Sequence, residues 1–184
     1  MLLFIDDATR HTHEYIVKYK SEALAKYKEW KALREMESGK QVKQFRTDGG
    51  GEYTSKKFAD QLKSEGILNA TTKPYTHRSN GVVQRANSTI MERVRCILDD
   101  AALPMTYWAF AVSVALHFED HTPTRSAVGK TPYETWHGSD SKPSLKHLRV
   151  FGCSAFVHDP KEKRKKVHYR PTPGIFVGYS ISTK

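Results

Sequence analysis

Two polar residues in this chain have settings in which their side chains could hold a divalent metal ion. Asp48 ends a predicted strand and precedes three glycines, and Gln84 follows Gly81 in the predicted first turn of a long helix. Carboxylate and amide oxygens bind Mg²⁺ and Mn²⁺, and these ions activate a water or a hydroxyl for phosphoryl transfer. The glycines would let a nucleic-acid backbone approach closely. The alternative for Asp48 is a plain turn residue.

A second acidic pair, Asp6 and Asp7, lies between two segments that are predicted to form a β-hairpin. Either carboxylate could add a metal ligand, and the alternative is that both cap or solvate the turn. His11 and His13 alternate onto one strand face and could bind metal weakly, or they could lie on a half-exposed strand. The other seven histidines are scattered along the chain, and none has zinc spacing with a cysteine.

The segments that must position these residues alternate between strand and helix patterns. Ser21 is the predicted N-cap of the first helix, and Phe110 is a predicted core residue of the last one. Strands are predicted at residues 2–5, 14–19, 41–47 and 67–72, and helices at 21–38, 55–64, 82–101 and from 104 onward. This order predicts an α/β fold in which helices cover a mixed sheet.

The predicted secondary structure changes after residues 129–136, where short strands replace helices. Strands are predicted at 148–151, 154–158 and 174–179, and a linker is predicted near 138–144. This pattern indicates a small β-barrel or partial barrel. We therefore expect one domain over residues 1–138 and a β extension over residues 145–184.

Composition restricts the classes of protein that this chain can represent. Hydrophobic residues make up 38% of the sequence, which is enough to build a core. No apolar run approaches the roughly 18 residues of a membrane span, and the N-terminus lacks the basic region of a signal peptide. Cys96 and Cys153 form no disulfide framework, which fits a reducing compartment. The expected location is nuclear or cytoplasmic.

The net charge of +10 is concentrated near the C-terminus. Residues 140–184 hold ten Lys and Arg against three Asp and Glu, a net +7, whereas the other 139 residues hold 20 against 17, a net +3. Such a concentration favours a polyanionic partner, because each neutralised phosphate releases counterions. The alternative is a solvated basic surface.

Several motifs together identify a family. Thirty-five residues separate Asp48, in RTDGGGEY at 46–53, from Gln84, in NGVVQR at 80–85. The other motifs are FIDDATR at 4–10, PYT at 74–76, GKTPYETW at 129–136, HLRVFGC at 147–153 and GIFVGYS at 174–180. In this order they resemble the catalytic core and SH3-like extension of retroviral-type integrases, most closely the Pol polyprotein of copia-type LTR retrotransposons. The resemblance covers nearly the whole chain.

The resemblance implies an RNase H-like α/β fold followed by an SH3-like β unit, and a role in DNA integration by 3′-end strand transfer. It makes Asp48 a metal ligand and places Gln84 where the family has a Glu. The family's first catalytic Asp lies on a strand upstream of residues 4–7, so we expect that strand to be missing from the sheet. The edge of residues 2–5 would then be unpaired and could join copies into a homo-oligomer.

Three functions follow from these observations. The first is a nucleic-acid-binding, catalytically defective integrase derivative that needs no cofactor. The second is an active polynucleotidyl transferase that uses Mg²⁺ or Mn²⁺, with Asp48 and a recruited Asp6 or Asp7. The third is a protein-interaction module. DNA is the expected partner in the first two, with no membrane partner. The candidate phosphate contacts are Lys73, Arg78, Arg85, Lys161, Lys163, Arg164, Lys165 and Lys166.

Overall fold

The computed structural model describes residues 1–47, 50–71, 81–125, 129–138, 140–158 and 171–179. The strands within these ranges are β1 (Leu2–Ile5), β2 (Thr12–Tyr15), β3 (Gln44–Thr47), β4 (Leu68–Thr71), β5 (Ser154–Val157) and β6 (Thr172–Ile175). The α-helices are α1 (Ala23–Ser38), α2 (Gly51–Thr54), α3 (Lys56–Ser64), α4 (Gly81–Asp100), α5 (Trp108–Asp120) and α6 (Pro132–His137). The described helices are all too short or too polar to cross a membrane.

The described strands form three two-stranded sheets. β1 pairs antiparallel with β2, with Leu2 opposite Tyr15. β3 pairs in parallel with β4, an arrangement that requires a crossover, and α2 and α3 occupy that connection. β5 pairs antiparallel with β6. The predicted mixed α/β architecture is thus confirmed, with β1–β2 and β3–β4 as separate sheets.

Strand β1 is covered by helices on both faces. Leu2 and Phe4 are buried in a cluster with Tyr27 of α1 and Phe58 of α3. Leu3, which points the other way, packs on the cluster made by α4 and α5. The buried members of that second cluster are Ile90, Val94, Leu98, Ala111, Val112, Val114, Ala115, Leu116 and Phe151. Because the Leu2 and Phe4 face is buried and the Leu3 and Ile5 face is half-buried, both faces carry apolar residues and Leu2–Ile5 is a continuous apolar run.

Local signals account for most of the helix ends. Gly39 has a left-handed φ of 66° and ends α1, and the Ser55 hydroxyl accepts the N–H of Phe58 at the start of α3. The Ser21 prediction was wrong. Ser21 lies inside a 3₁₀ turn (Lys20–Glu22), and the carboxylate of Glu22 accepts the N–H of Tyr19 at 2.6 Å instead.

Two further expectations were wrong for packing reasons. Phe110 is 51% exposed, because α5 turns its Ala111 and Val114 side toward α4. Residues 148–151 are not a strand. They form an irregular segment that Tyr179 anchors, since the N–H of Arg149 donates to the Tyr179 hydroxyl at 3.0 Å. In the described part of the C-terminal region the predicted barrel consists of the single β5–β6 hairpin.

Candidate functional site

A cavity of about 680 Å³ lies between β1 and β3. Asp6 and Asp7 of the hairpin turn line one side of it, and Gln84 lines it from the first turn of α4. Thr47, the last residue of β3, lines it from the opposite strand. Asp48 directly follows Thr47 in the sequence but lies outside the described residues. The structure therefore gathers Gln84, both N-terminal acids and the end of β3 around one space.

The cavity has an amide face on α4. Gln84 is exposed, and Asn87 lies three residues further on the same face of the helix and lines the same cavity. Sequence reasoning missed Asn87, although its spacing from Gln84 on a predicted helix was the available signal. Arg46 of β3 also lines the cavity and was missed, since the exposed face of β3 gives no local signal.

The two N-terminal acids hold the hairpin turn together. One carboxylate oxygen of Asp6 accepts both the N–H and the hydroxyl of Thr9, each at 2.8 Å. Asp7 is 73% exposed and pairs with Arg10 at 2.6 Å. Arg10 has a positive φ of 65°, and these contacts help to hold it there. Asp6 thus caps the turn, and Asp7 is an exposed partner of Arg10. A metal role for either carboxylate stays a prediction.

A histidine cluster lies beside Trp136, a residue that lines the cavity. Nδ1 of His11 lies 2.9 Å from a carboxylate oxygen of Asp120, which joins the hairpin to the end of α5. The rings of His11 and His13 are 4.3 Å apart, so both face one side as predicted. Burial, together with the charges of His11, Arg34 and His137, lowers the pKa of His13 to about 3.

The contact between His13 and Arg34 determines the protonation state of the His13 imidazole. A guanidinium nitrogen of Arg34 lies 3.3 Å from Nε2 of His13. Because arginine has only donors, Nε2 must be the acceptor and the ring must be neutral. The uncharged His13 ring therefore connects the hairpin to α1 through its contact with Arg34. Burial also lowers the pKa of His137.

The predicted phosphate contacts fall mostly in segments that the structure does not describe. Arg85 is described: it is exposed, and its Nε donates to the carbonyl of Gly81 at 3.2 Å. The remaining candidates, together with Asp48, lie outside the described residues: Lys73, Arg78, Lys161, Lys163, Arg164, Lys165 and Lys166. The metal role of Asp48 and the phosphate contacts of the other residues remain predictions from the sequence.

Another group of side chains was missed by sequence reasoning. His117 and His121 lie one turn apart at the end of α5, and His147 meets them from the segment before β5. Burial and the neighbouring His121 and His147 lower the pKa of His117 to about 4, and Asp120 acts in the opposite sense. The i, i+4 spacing of His117 and His121 on the predicted helix was the signal that could have found the pair.

Comparison with solved structures defines the class of fold. The catalytic core domain of HTLV-2 integrase, in complex with magnesium, superposes with a TM-score of 0.55 at 22% identity, covering 73% of this chain and 82% of that one. A chain of the simian T-cell lymphotropic virus intasome, in complex with PP2A regulatory subunit B56γ, gives a TM-score of 0.60 at 23% identity, covering 94% and 60%. The fold is therefore that of an integrase catalytic core, RNase H-like and mixed α/β.

Sequence comparison then identifies the lineage. The chain is 41% identical over 176 residues, 96% of its length, to the retrovirus-related Pol polyprotein of transposon TNT 1-94 from Nicotiana tabacum. It is 29% identical over 98% of its length to the corresponding polyprotein of transposon RE1 from Arabidopsis thaliana. Residues 153–184 match the retroviral polymerase SH3-like domain. This chain is a homologue of plant-transposon Pol polyproteins, and it spans 13% and 12% of the lengths of these two relatives.

Proposed function

We propose that this chain is a DNA-binding, integrase-like segment of a retrotransposon Pol protein that does not itself catalyse strand transfer. The observation that carries the proposal is the position of Gln84. Its neutral amide lines the cavity between β1 and the end of β3, and the family resemblance makes this the position where a carboxylate would join Asp48 in holding metal.

The electrostatics of the cavity support the catalytic part of the proposal. Two-metal phosphoryl transfer needs several carboxylates to neutralise the ions. An amide offers one oxygen and no charge, Asp6 uses one carboxylate oxygen on Thr9, and Asp7 pairs with Arg10. Arg46 adds positive charge to the same cavity wall. If the chain does bind Mg²⁺ or Mn²⁺, Asp48 is the ligand, and affinity is expected to be low.

The charge distribution supports the DNA-binding part. The net charge is +10, and +7 of it lies in residues 140–184. Lysine and arginine side chains meet phosphates rather than base edges when they lie in a basic run, so binding should be largely independent of sequence.

The DNA-binding test measures affinity for a duplex oligonucleotide by fluorescence anisotropy over a range of salt concentrations. Replacing Lys163, Arg164, Lys165 and Lys166 by Ala should lower the slope of log affinity against log salt by roughly 3 to 4, at about 0.9 per phosphate. A control variant with the same charge change replaces exposed lysines elsewhere: Lys28, Lys56, Lys57 and Lys63. If the first variant keeps the parent slope, the basic run is a solvated turn and the interaction-module hypothesis gains.

The catalytic test is a strand-transfer assay on a labelled oligonucleotide in Mg²⁺ and in Mn²⁺. No joined or cleaved product is expected from the unaltered chain. Turnover that disappears in Asp48→Asn would refute the proposal and would favour an active site that recruits Asp6 or Asp7. Replacing each of these two acids by Asn would then show which one takes part.

A further inference from the structure

Three imidazole rings converge on the side of α5 near its C-terminal end. The ring centroids of His117 and His121 are 4.3 Å apart, and the ring of His147 lies 5.1 Å from that of His117. The Nε2 atoms of His117 and His147 are 2.9 Å apart. One ring nitrogen from each of the three lies within 4.8 Å of the others. Two residues at the end of one helix and a third from a distant segment thus present their ring nitrogens to one point.

Neighbouring groups orient these rings. Nδ1 of His121 lies 2.7 Å from the backbone carbonyl of His117, so this nitrogen carries the proton and donates it. The lone pair of His121 is therefore on Nε2, the tautomer that a backbone contact typically fixes in metal-binding histidines. The ring of Tyr179 lies 4.4 Å from His117, and that of Tyr133 lies 5.1 Å from His121. These aromatic contacts limit rotation of both helix histidines.

We propose that His117, His121 and His147 bind one Zn²⁺ ion, with the fourth position open to water. Three neutral imidazoles suit zinc, whereas Mg²⁺ and Mn²⁺ prefer oxygen ligands. At a Zn–N distance of about 2.0–2.1 Å, tetrahedral ligand nitrogens are roughly 3.3 Å apart. The His117–His147 pair is already close to this separation, and His147 is exposed on an irregular segment, so it can adjust.

The site lies apart from the cavity between β1 and β3. Asp120, the residue before His121, has its close contact with His11 of the other histidine cluster. The three histidines are absent from the described lining of the cavity that holds Gln84. The zinc site is consequently separate from the region of expected phosphoryl-transfer chemistry.

The ion would join two parts of the chain. His117 belongs to α5 and His121 is the residue directly after it, whereas His147 belongs to the segment that leads into β5. Tyr179, which follows β6, packs on His117 and accepts a hydrogen bond from Arg149. Bound zinc would therefore fasten the β5–β6 unit to α5.

The test is titration of the metal-free protein with Zn²⁺ by calorimetry, together with the visible absorption of a Co²⁺ complex. One ion per chain is expected, with a rise in the melting temperature. His147→Ala should weaken Zn²⁺ binding at least about tenfold and remove the Co²⁺ bands. The matched control is His158→Ala, because His158 is also exposed and lies outside the cluster.

Two further variants test whether any loss of zinc binding comes from the missing ligand rather than from a change in folding. His147→Asp supplies a carboxylate ligand and should retain part of the affinity, which separates loss of a ligand from loss of folding. His13→Gln alters the other histidine cluster and should leave zinc binding unchanged. No binding by the unaltered chain, or equal affinity in His147→Ala, would overturn the proposal. So would loss of binding in His13→Gln with retention in His147→Ala.

Discussion

Gly152 lies directly against Ala101 at the end of α4. A β-carbon placed on Gly152 would be 2.6 Å from the β-carbon of Ala101, and Gly152 has a φ of 77°. The turn before β5 therefore approaches the helical core more closely than any side chain at this position allows. The contact brings Phe151 into the cluster between α4 and α5.

Gly152→Ala should destabilise the fold by about 3 kcal/mol, because it combines left-handed backbone strain with a steric clash. Gly39→Ala is the matched control. Gly39 has a similar φ of 66°, but a β-carbon placed there would meet nothing within 4 Å, so only about 1 kcal/mol of strain is expected. Urea unfolding of both variants measures the difference. Equal losses would mean that the contact with Ala101 relaxes freely.

Gln84→Glu should raise the affinity for Mn²⁺ about fivefold without producing strand transfer. The estimate corresponds to about 1 kcal/mol for one added charge roughly 4 Å from the ion in a water-like medium. Calorimetric titration of both forms measures it. Asn69→Asp adds the same charge on β4 at a residue that does not line the described cavity, and should leave the affinity unchanged. Indistinguishable affinities for the unaltered chain and Gln84→Glu would place this side chain away from the metal position.

Strand β1 should make the isolated chain associate with itself. In the described sheets β1 pairs with β2 alone, and its residues line the cavity toward β3. An apolar strand edge of this kind pairs readily with another chain. Ile5→Lys should reduce association measured by light scattering at micromolar concentration. Ile16→Lys changes a residue that is 44% exposed beyond β2 and should have little effect. A monodisperse monomer before substitution would count against this expectation.

Acid should destabilise the fold through His13. Its pKa is lowered from 6.5 to about 3 by burial and by neighbouring positive groups. Between these values the unfolded chain binds the proton more readily than the folded one, so stability is complete above pH 6.5 and falls as pH drops toward 3. One such group contributes at most about 1.4 kcal/mol per pH unit. His13→Gln keeps an acceptor for Arg34 and should flatten the pH dependence of urea unfolding, whereas His158→Gln should not.

Local patterns in the sequence were sufficient to predict much of this protein. The apolar run Leu2–Ile5 and the helical patterns over residues 21–38 and 55–64 predicted β1, α1 and α3. These features depend on residues within a few positions of each other, and their backbone chemistry is the same in any fold. Motif order and spacing added the integrase-like resemblance, which the homologous Pol polyproteins confirm.

Other features were decided only when distant segments packed together. The exposure of Phe110, the irregular path of residues 148–151 and the meeting of His117 with His147 depend on which face of α5 is turned toward α4. The same holds for Asn87 and Arg46, which share a cavity although they belong to different elements. Periodicity reports that a face will be buried, but the partner of that face is set by the packing of the whole chain.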